Sequence, residues 1–283
     1  MLNSFWSNTI WYILLLISSI ITIIVTLKKS ENRKFTIGFT LATLGFVYLV
    51  EAVLVLVLKS YQYYPKLSAD VFQDSVLGNY FSQVSISATS AFTIVFNLSY
   101  IWYFFFAFIY YLIEELFIKV GIYQHNWYKS IYTLIGFVPL FWFIKKWYYK
   151  LISSSKRVVF YITLFFGTFS ISANSLTLPL KLLKIQIFKI NFFGQLSKNH
   201  TAAGLIYAFI VINIMIILYK SRSLPKKVIV FIIMCCLQFI LYKFNIIYIK
   251  PGYFVIVTLI DLCGIYFWVA VLDHLLRQKP NII

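Results

Sequence analysis

Long apolar runs of about 18 to 22 residues recur along this chain, separated by short loops rich in lysine, and that pattern restricts the fold more than any other feature. In hydrocarbon the backbone must satisfy its own hydrogen bonds, which leaves helices or a closed barrel. A barrel strand alternates apolar and polar at every second residue, whereas these runs are continuous. The expected fold is therefore all-α, a polytopic transmembrane helix bundle of about nine spans, or about eight if one is re-entrant. Composition agrees. Of the residues, 61% are hydrophobic and 12% charged, against about a quarter charged in soluble domains.

The runs read as helices over about residues 9–27, 35–58, 79–98, 100–118, 130–144, 158–178, 201–219, 228–248 and 253–272. Lys28, Lys29, Arg33 and Lys34 follow the first, Lys145 to Arg157 the fifth, and Lys220 to Lys227 the seventh. Such clusters stay on the cytoplasmic side. The expected localisation is a bacterial cytoplasmic membrane, with the N-terminus outside and the C-terminus inside. The net charge of +17 then reflects loops resting on anionic lipid headgroups of the bilayer. Nucleic acid is not an expected partner, because no compact basic domain remains outside the spans. Residues 1–283 read as a single integral membrane domain with no legible internal repeat. The lysine-rich stretch 180–199 reads as a probable interfacial segment, against the positive-inside trend. Cys235, Cys236 and Cys263 lie inside apolar runs and outline no disulfide framework.

The third run is unusually polar. Ser82, Ser85, Thr89, Thr93 and Asn97 step by three or four residues and share one helical face. That face serves either hydrogen bonding between helices or the wall of a polar cavity. The fourth run delivers Glu114 and Glu115 to the outer side, and Gly121 to Tyr128 reads as a polar, aromatic hairpin containing His125. Glu114, Glu115 and His125 are the candidate catalytic residues, since carboxylates and imidazoles supply acid–base chemistry. Glu51, Glu114, His125 and His200 are the candidate ligands for a divalent cation; no other cofactor is expected. Bland readings stand beside these. Glu115 can pair with Lys119 four residues on, and His125 can be an interfacial ring beside Trp127. Within the membrane, Asp261 can pair with Lys243 of the preceding helix.

The adjacent glutamates resemble the first motif of CAAX-processing intramembrane proteases, but lysine stands at 119 where that motif has arginine. The residues four before His125, His200 and His274 are Gly121, Leu196 and Ala270 rather than phenylalanine. That activity is not carried over. Over about residues 60–150 the chain resembles a group of uncharacterised multi-spanning membrane proteins of endospore-forming Firmicutes. The resemblance rests on Tyr64-Pro-Lys, Leu77-Gly-Asn-Tyr-Phe81, Phe96-Asn, Ile113-Glu-Glu-Leu-Phe117 and Gly121 to Tyr128. It implies a membrane location and no activity. The expected function is a non-catalytic or scaffold-like membrane component. The alternatives are a transporter or channel for a small solute or cation, and a membrane enzyme with an outer-face Glu/His site.

Overall fold

A computed structural model describes residues 5–153 and 157–280. Among these residues nine helices form: α1 Phe5–Lys29, α2 Arg33–Val57, α3 Val71–Val95, α4 Tyr100–Lys119, α5 Ser130–Ser153, α6 Arg157–Leu182, α7 Leu196–Lys220, α8 Leu224–Lys243 and α9 Phe254–Arg277. Four short strands join them: β1 Tyr61–Tyr63, β2 Tyr123–His125, β3 Gln186–Phe188 and β4 Ile247–Ile249. The helix bundle expected from the apolar runs is thus accompanied by two antiparallel strand pairs, β1 with β2 and β3 with β4. The segment Gly121 to Tyr128 is not a hairpin on itself. Its central residues pair with a strand sixty residues upstream, because Gly121, at φ +78°, turns the chain back under the end of α2.

Seven of the nine helices are long and apolar enough to cross a membrane, and α3 and α5 are not. Each exception has a local cause. More than half of α3 is buried, against α1, α2 and α5, so its surface is not selected for lipid. Its hydroxyls are satisfied internally: Ser87 and Ser90 donate to the carbonyls of Gln83 and Ile86. In α5 the cluster Lys145, Lys146 and Lys150 occupies the last turns, and apolar residues fill only the part before it.

The chain divides into two compact units, with boundaries after Phe160 and after Arg277, where the sequence reads as one domain. The units share one element order. The first runs α2–β1–α3–α4–β2–α5, with α1 preceding it; the second runs α6–β3–α7–α8–β4–α9. Counterpart helices have equal lengths of 25, 20 and 24 residues for α3 and α7, α4 and α8, α5 and α9. Both α2 and α6 carry a π-helical turn near the end, at Val53–Val57 and Ala173–Thr177.

Hydrogen bonding repeats with the elements. Tyr64 N–H donates to Ile122 O as Lys189 N–H donates to Ile246 O, and Asn126 N–H donates to Ser60 O as Lys250 N–H donates to Ile185 O. Side chains repeat too. Asp74 accepts from the backbone N–H groups of Lys66, Leu67 and Ser68, and Asn199 from those of Phe192 and Phe193. The strand amide of Tyr63 donates to Ser75 Oγ, and that of Phe188 to His200 Nδ1. The repeat is carried by backbone geometry, with little side-chain identity, so it is illegible in the sequence. Each unit has its own core. Val47, Ile86, Tyr103, Tyr110 and Phe141 pack together in the first, and Leu180, Phe188, Ala203, Ile247, Ile249 and Val257 in the second.

The stretch 180–199 contains the end of α6, strand β3, a loop and the first turn of α7. It is therefore not one amphipathic element, and its lysines fall between short structured pieces.

Candidate functional site

The strand pair of the first unit closes one end of a bundle, and its chemistry lies on one face. Tyr61 stands opposite His125 and Tyr63 opposite Tyr123. Side chains alternate along a strand, so these four turn inward, where Tyr61, Tyr63 and Tyr123 are buried, and Gln124 is exposed. Their rings pack tilted or edge-to-face on one another and on Tyr128, with centroids 4.6 Å apart for Tyr63–Tyr123 and 5.1 Å for Tyr61–Tyr128. Contacts of this kind contribute about 0.5–1.5 kcal/mol each beyond burial.

Two carboxylates meet this aromatic layer from below. Glu51, 7% exposed, sits just before the π-helical turn of α2 and accepts from the Tyr61 hydroxyl. Glu114, in the last turns of α4, lies 2.5 Å from His125 Nε2 through one oxygen. Its other oxygen accepts from the Thr133 hydroxyl, and Tyr128 OH lies 3.0 Å from Thr133 Oγ1. Burial, with the Glu51 charge beside it, holds the Tyr61 hydroxyl well above its ordinary value. Burial likewise raises Tyr63 and Tyr123, and pushes Tyr128 up to about 12. These phenols therefore stay protonated and remain donors.

Glu51 and Glu114 both line a cavity of about 200 Å³. Tyrosines 61, 63, 123 and 128 form its polar end, and the rest of its wall is mostly carbon, from Val47, Leu54, Ile86 and Phe137 among others. Among the described residues no lysine or arginine lines it.

Of the sequence candidates, Glu51, Glu114 and His125 thus belong to one unit, the first two on one cavity. Glu115 is exposed and forms no ion pair with Lys119. His200 lies in the second unit, where its ring caps the amide of Phe188. No cluster of three or more His, Cys, Asp or Glu suited to a metal ion occurs among the described residues.

The polar face of α3 divides three ways. Ser85 and Thr89 both hydrogen-bond Tyr110 OH of α4, at 2.9 Å each. Thr93 turns back to the carbonyl of Ser90, while Ser82 lines the cavity. Asn97 is not on the helix face. The helix ends at Val95, and Asn97, at φ +49°, makes the turn beyond it.

Asp261 does not pair with Lys243. Its carboxylate accepts from Gln186 and Gln238, at 2.9 and 3.2 Å, and Lys243 is exposed at the end of α8. Sequence reasoning missed Tyr61, Tyr128 and Thr133. The available signal was the alternation Tyr61-x-Tyr63 and Tyr123-x-His125, a two-residue period inside an otherwise helical chain. The chain matches no protein-family model, no curated protein and no solved structure.

Proposed function

We propose that this chain is a multi-pass protein of the bacterial cytoplasmic membrane, a non-catalytic component whose first unit binds a small solute in the cavity beneath β1 and β2. All nine helices serve as spans in this reading. Seven qualify by length and apolarity alone. The other two, α3 and α5, are the counterparts of α7 and α9, which both qualify. Nine crossings with the three basic clusters inside leave the N-terminus outside and the C-terminus inside. Each strand pair then lies towards the outer face, and the lysine loops meet anionic headgroups.

One observation carries the binding reading: two carboxylates, Glu51 and Glu114, share a cavity that no lysine or arginine among the described residues lines. Acids at membrane depth are costly and mark pathways or sites for solutes and protons. A second reading, a membrane enzyme, draws on the 2.5 Å contact of Glu114 with His125, since a carboxylate that orients an imidazole is an acid–base pair.

Single cysteines test the proposal in a background lacking Cys235, Cys236 and Cys263. In intact cells Lys66→Cys is expected to react with a membrane-impermeant maleimide and Lys150→Cys not to. Gly136→Cys, where an added Cβ meets nothing within 4 Å, is expected to react with a small permeant maleimide. Labelling at 150 from outside overturns the orientation. A cysteine at 136 inert to both reagents overturns the open cavity.

A further inference from the structure

We propose that the cavity of the first unit takes an amphiphilic monovalent cation, an alkylammonium head on a short hydrocarbon body, admitted sideways from the bilayer between α2 and α5. This rests on reading the cavity as a ligand site, and adds the ligand's class and its route.

The route follows from how the two helices meet. Towards the basic end of α5 they are closed by ring contacts: Phe39 edge-to-face with Trp147 and Tyr148 at 5.3 and 5.0 Å, and Phe46 tilted against Phe143 at 5.3 Å. Towards the strand pair that seam is partly exposed. Val50 of α2, 40% exposed, and Tyr132 of α5, 42% exposed, both line the cavity. Between Tyr132 and Leu140, α5 presents Gly136, also exposed and also on the wall. A Cβ there would meet nothing within 4 Å. The cavity therefore has a mouth on the lateral surface of the helices, about six residues, or roughly 9 Å, below the start of α5.

The chemistry of the wall selects the ligand. His125 sits on Glu114, whereas Glu51 has no cation within ion-pair distance among the described residues. A neutral guest leaves that carboxylate with the Tyr61 hydroxyl but no counter-charge, and burial of a charge without a counter-ion is expensive. An ammonium pairs with it, and the faces of Tyr61, Tyr63, Tyr123 and Tyr128 add cation–π attraction. A phosphate-bearing headgroup would face two carboxylates with no lysine or arginine on the wall among the described residues. The carbon wall fits a hydrocarbon body. An apolar cavity of about 150 Å³ admits benzene, so about 200 Å³ suits an ammonium with a chain of roughly four to six carbons.

The test uses the purified full chain in a non-ionic maltoside detergent, with isothermal titration of hexylammonium, 1-hexanol, sodium chloride and manganese chloride. Hexylammonium is expected to bind at least tenfold tighter than hexanol. Affinity should rise about threefold to fourfold per methylene from ethylammonium to the cavity limit. Glu51→Gln is expected to weaken hexylammonium about tenfold and leave hexanol unchanged. Gly136→Leu, which adds carbon at the mouth where a Cβ meets nothing within 4 Å, is expected to abolish both. The thermal midpoints of both variants establish that they fold.

Hexanol binding as tightly as hexylammonium, or binding of sodium or manganese alone, overturns the ligand class while Gly136→Leu still blocks and the cavity reading stands. An affinity independent of chain length overturns the lateral, hydrocarbon-lined route. Hexylammonium binding that survives Gly136→Leu, or no binding of any probe to the wild type, overturns the cavity as a ligand site.

Discussion

Replacing Asp74 tests how the strand pair is held over the site. One oxygen of this buried carboxylate accepts from the amides of Leu67 and Ser68, at 2.6 and 2.9 Å, and the other from that of Lys66 at 3.0 Å. These bonds tie the β1–α3 loop to the first turn of α3. Hydrogen bonds to a charged group contribute about 1.5–3 kcal/mol each, so three at the low end amount to roughly 4–5 kcal/mol. Water reaching the exposed Lys66 and Leu67 returns part of this, and Asp74→Ala is expected to cost about 3–4 kcal/mol. Asp74→Asn keeps an acceptor for Leu67 and Ser68 and loses only Lys66. It reproduces the arrangement at Asn199, whose single oxygen takes two amides, and should cost about 1–2 kcal/mol. Asp70→Ala removes one N-cap bond, from Gln73, and should cost about 1 kcal/mol. Thermal unfolding of the purified chain, followed by circular dichroism, should rank alanine at 74 well below the other two variants. For a chain of this size the expected drop is on the order of 6–15 °C. If Asp74→Ala is no worse than Asp70→Ala, the carboxylate does not hold the loop, and the equivalence with Asn199 loses its energetic meaning.

Gly78 allows α3 to approach the strand: a Cβ there would lie 2.5 Å from Tyr63 Cβ and 3.0 Å from Pro65 Cδ. Gly78→Ala should therefore cost about 1–3 kcal/mol and displace β1. Gly204→Ala, whose nearest neighbour is Phe188 at 3.8 Å, should be neutral or stabilising; equal midpoints for the two refute the packing argument. Alkaline pH gives a second measurement. The raised phenols bind their protons more tightly when folded than when unfolded, so their contribution is full below about pH 10 and is lost as pH rises to about 12, the value for Tyr128, and beyond. The thermal midpoint should fall over that window, and Tyr128→Phe should reduce the fall. A midpoint flat to pH ~12 would contradict the buried, neutral tyrosine layer.

Much of the architecture is legible in the sequence, because a bilayer imposes one rule on every span: continuous apolar length between charged ends. That rule locates α1, α2, α4 and α6 to α9, and it explains why the lysine clusters sit at helix ends. It also draws attention to Glu51, Glu114 and His125, since charge is rare in such a chain and each instance is conspicuous. What the rule does not contain is pairing across distance. Tyr61 and His125 are brought opposite each other by strand pairing across sixty residues, and three-residue strands carry too little pattern to announce a partner. The preference of Asp261 for Gln186 and Gln238 over Lys243 likewise depends on which side chains the folded unit brings to the carboxylate.

The repeated unit is the clearest case. Asp74 and Asn199, or Ser75 and His200, differ in identity and do the same work, accepting amides from the loop or strand that precedes them. An amide N–H requires only an acceptor at the right place, so the chain kept the geometry while the residues changed. Hydrophobic length along the sequence determined that this protein is a bundle of membrane-length helices. Only the tertiary structure decided that it is two versions of one four-helix unit, and that the first encloses an acidic cavity, because backbone hydrogen bonds and packing are indifferent to much of the residue identity that a sequence displays.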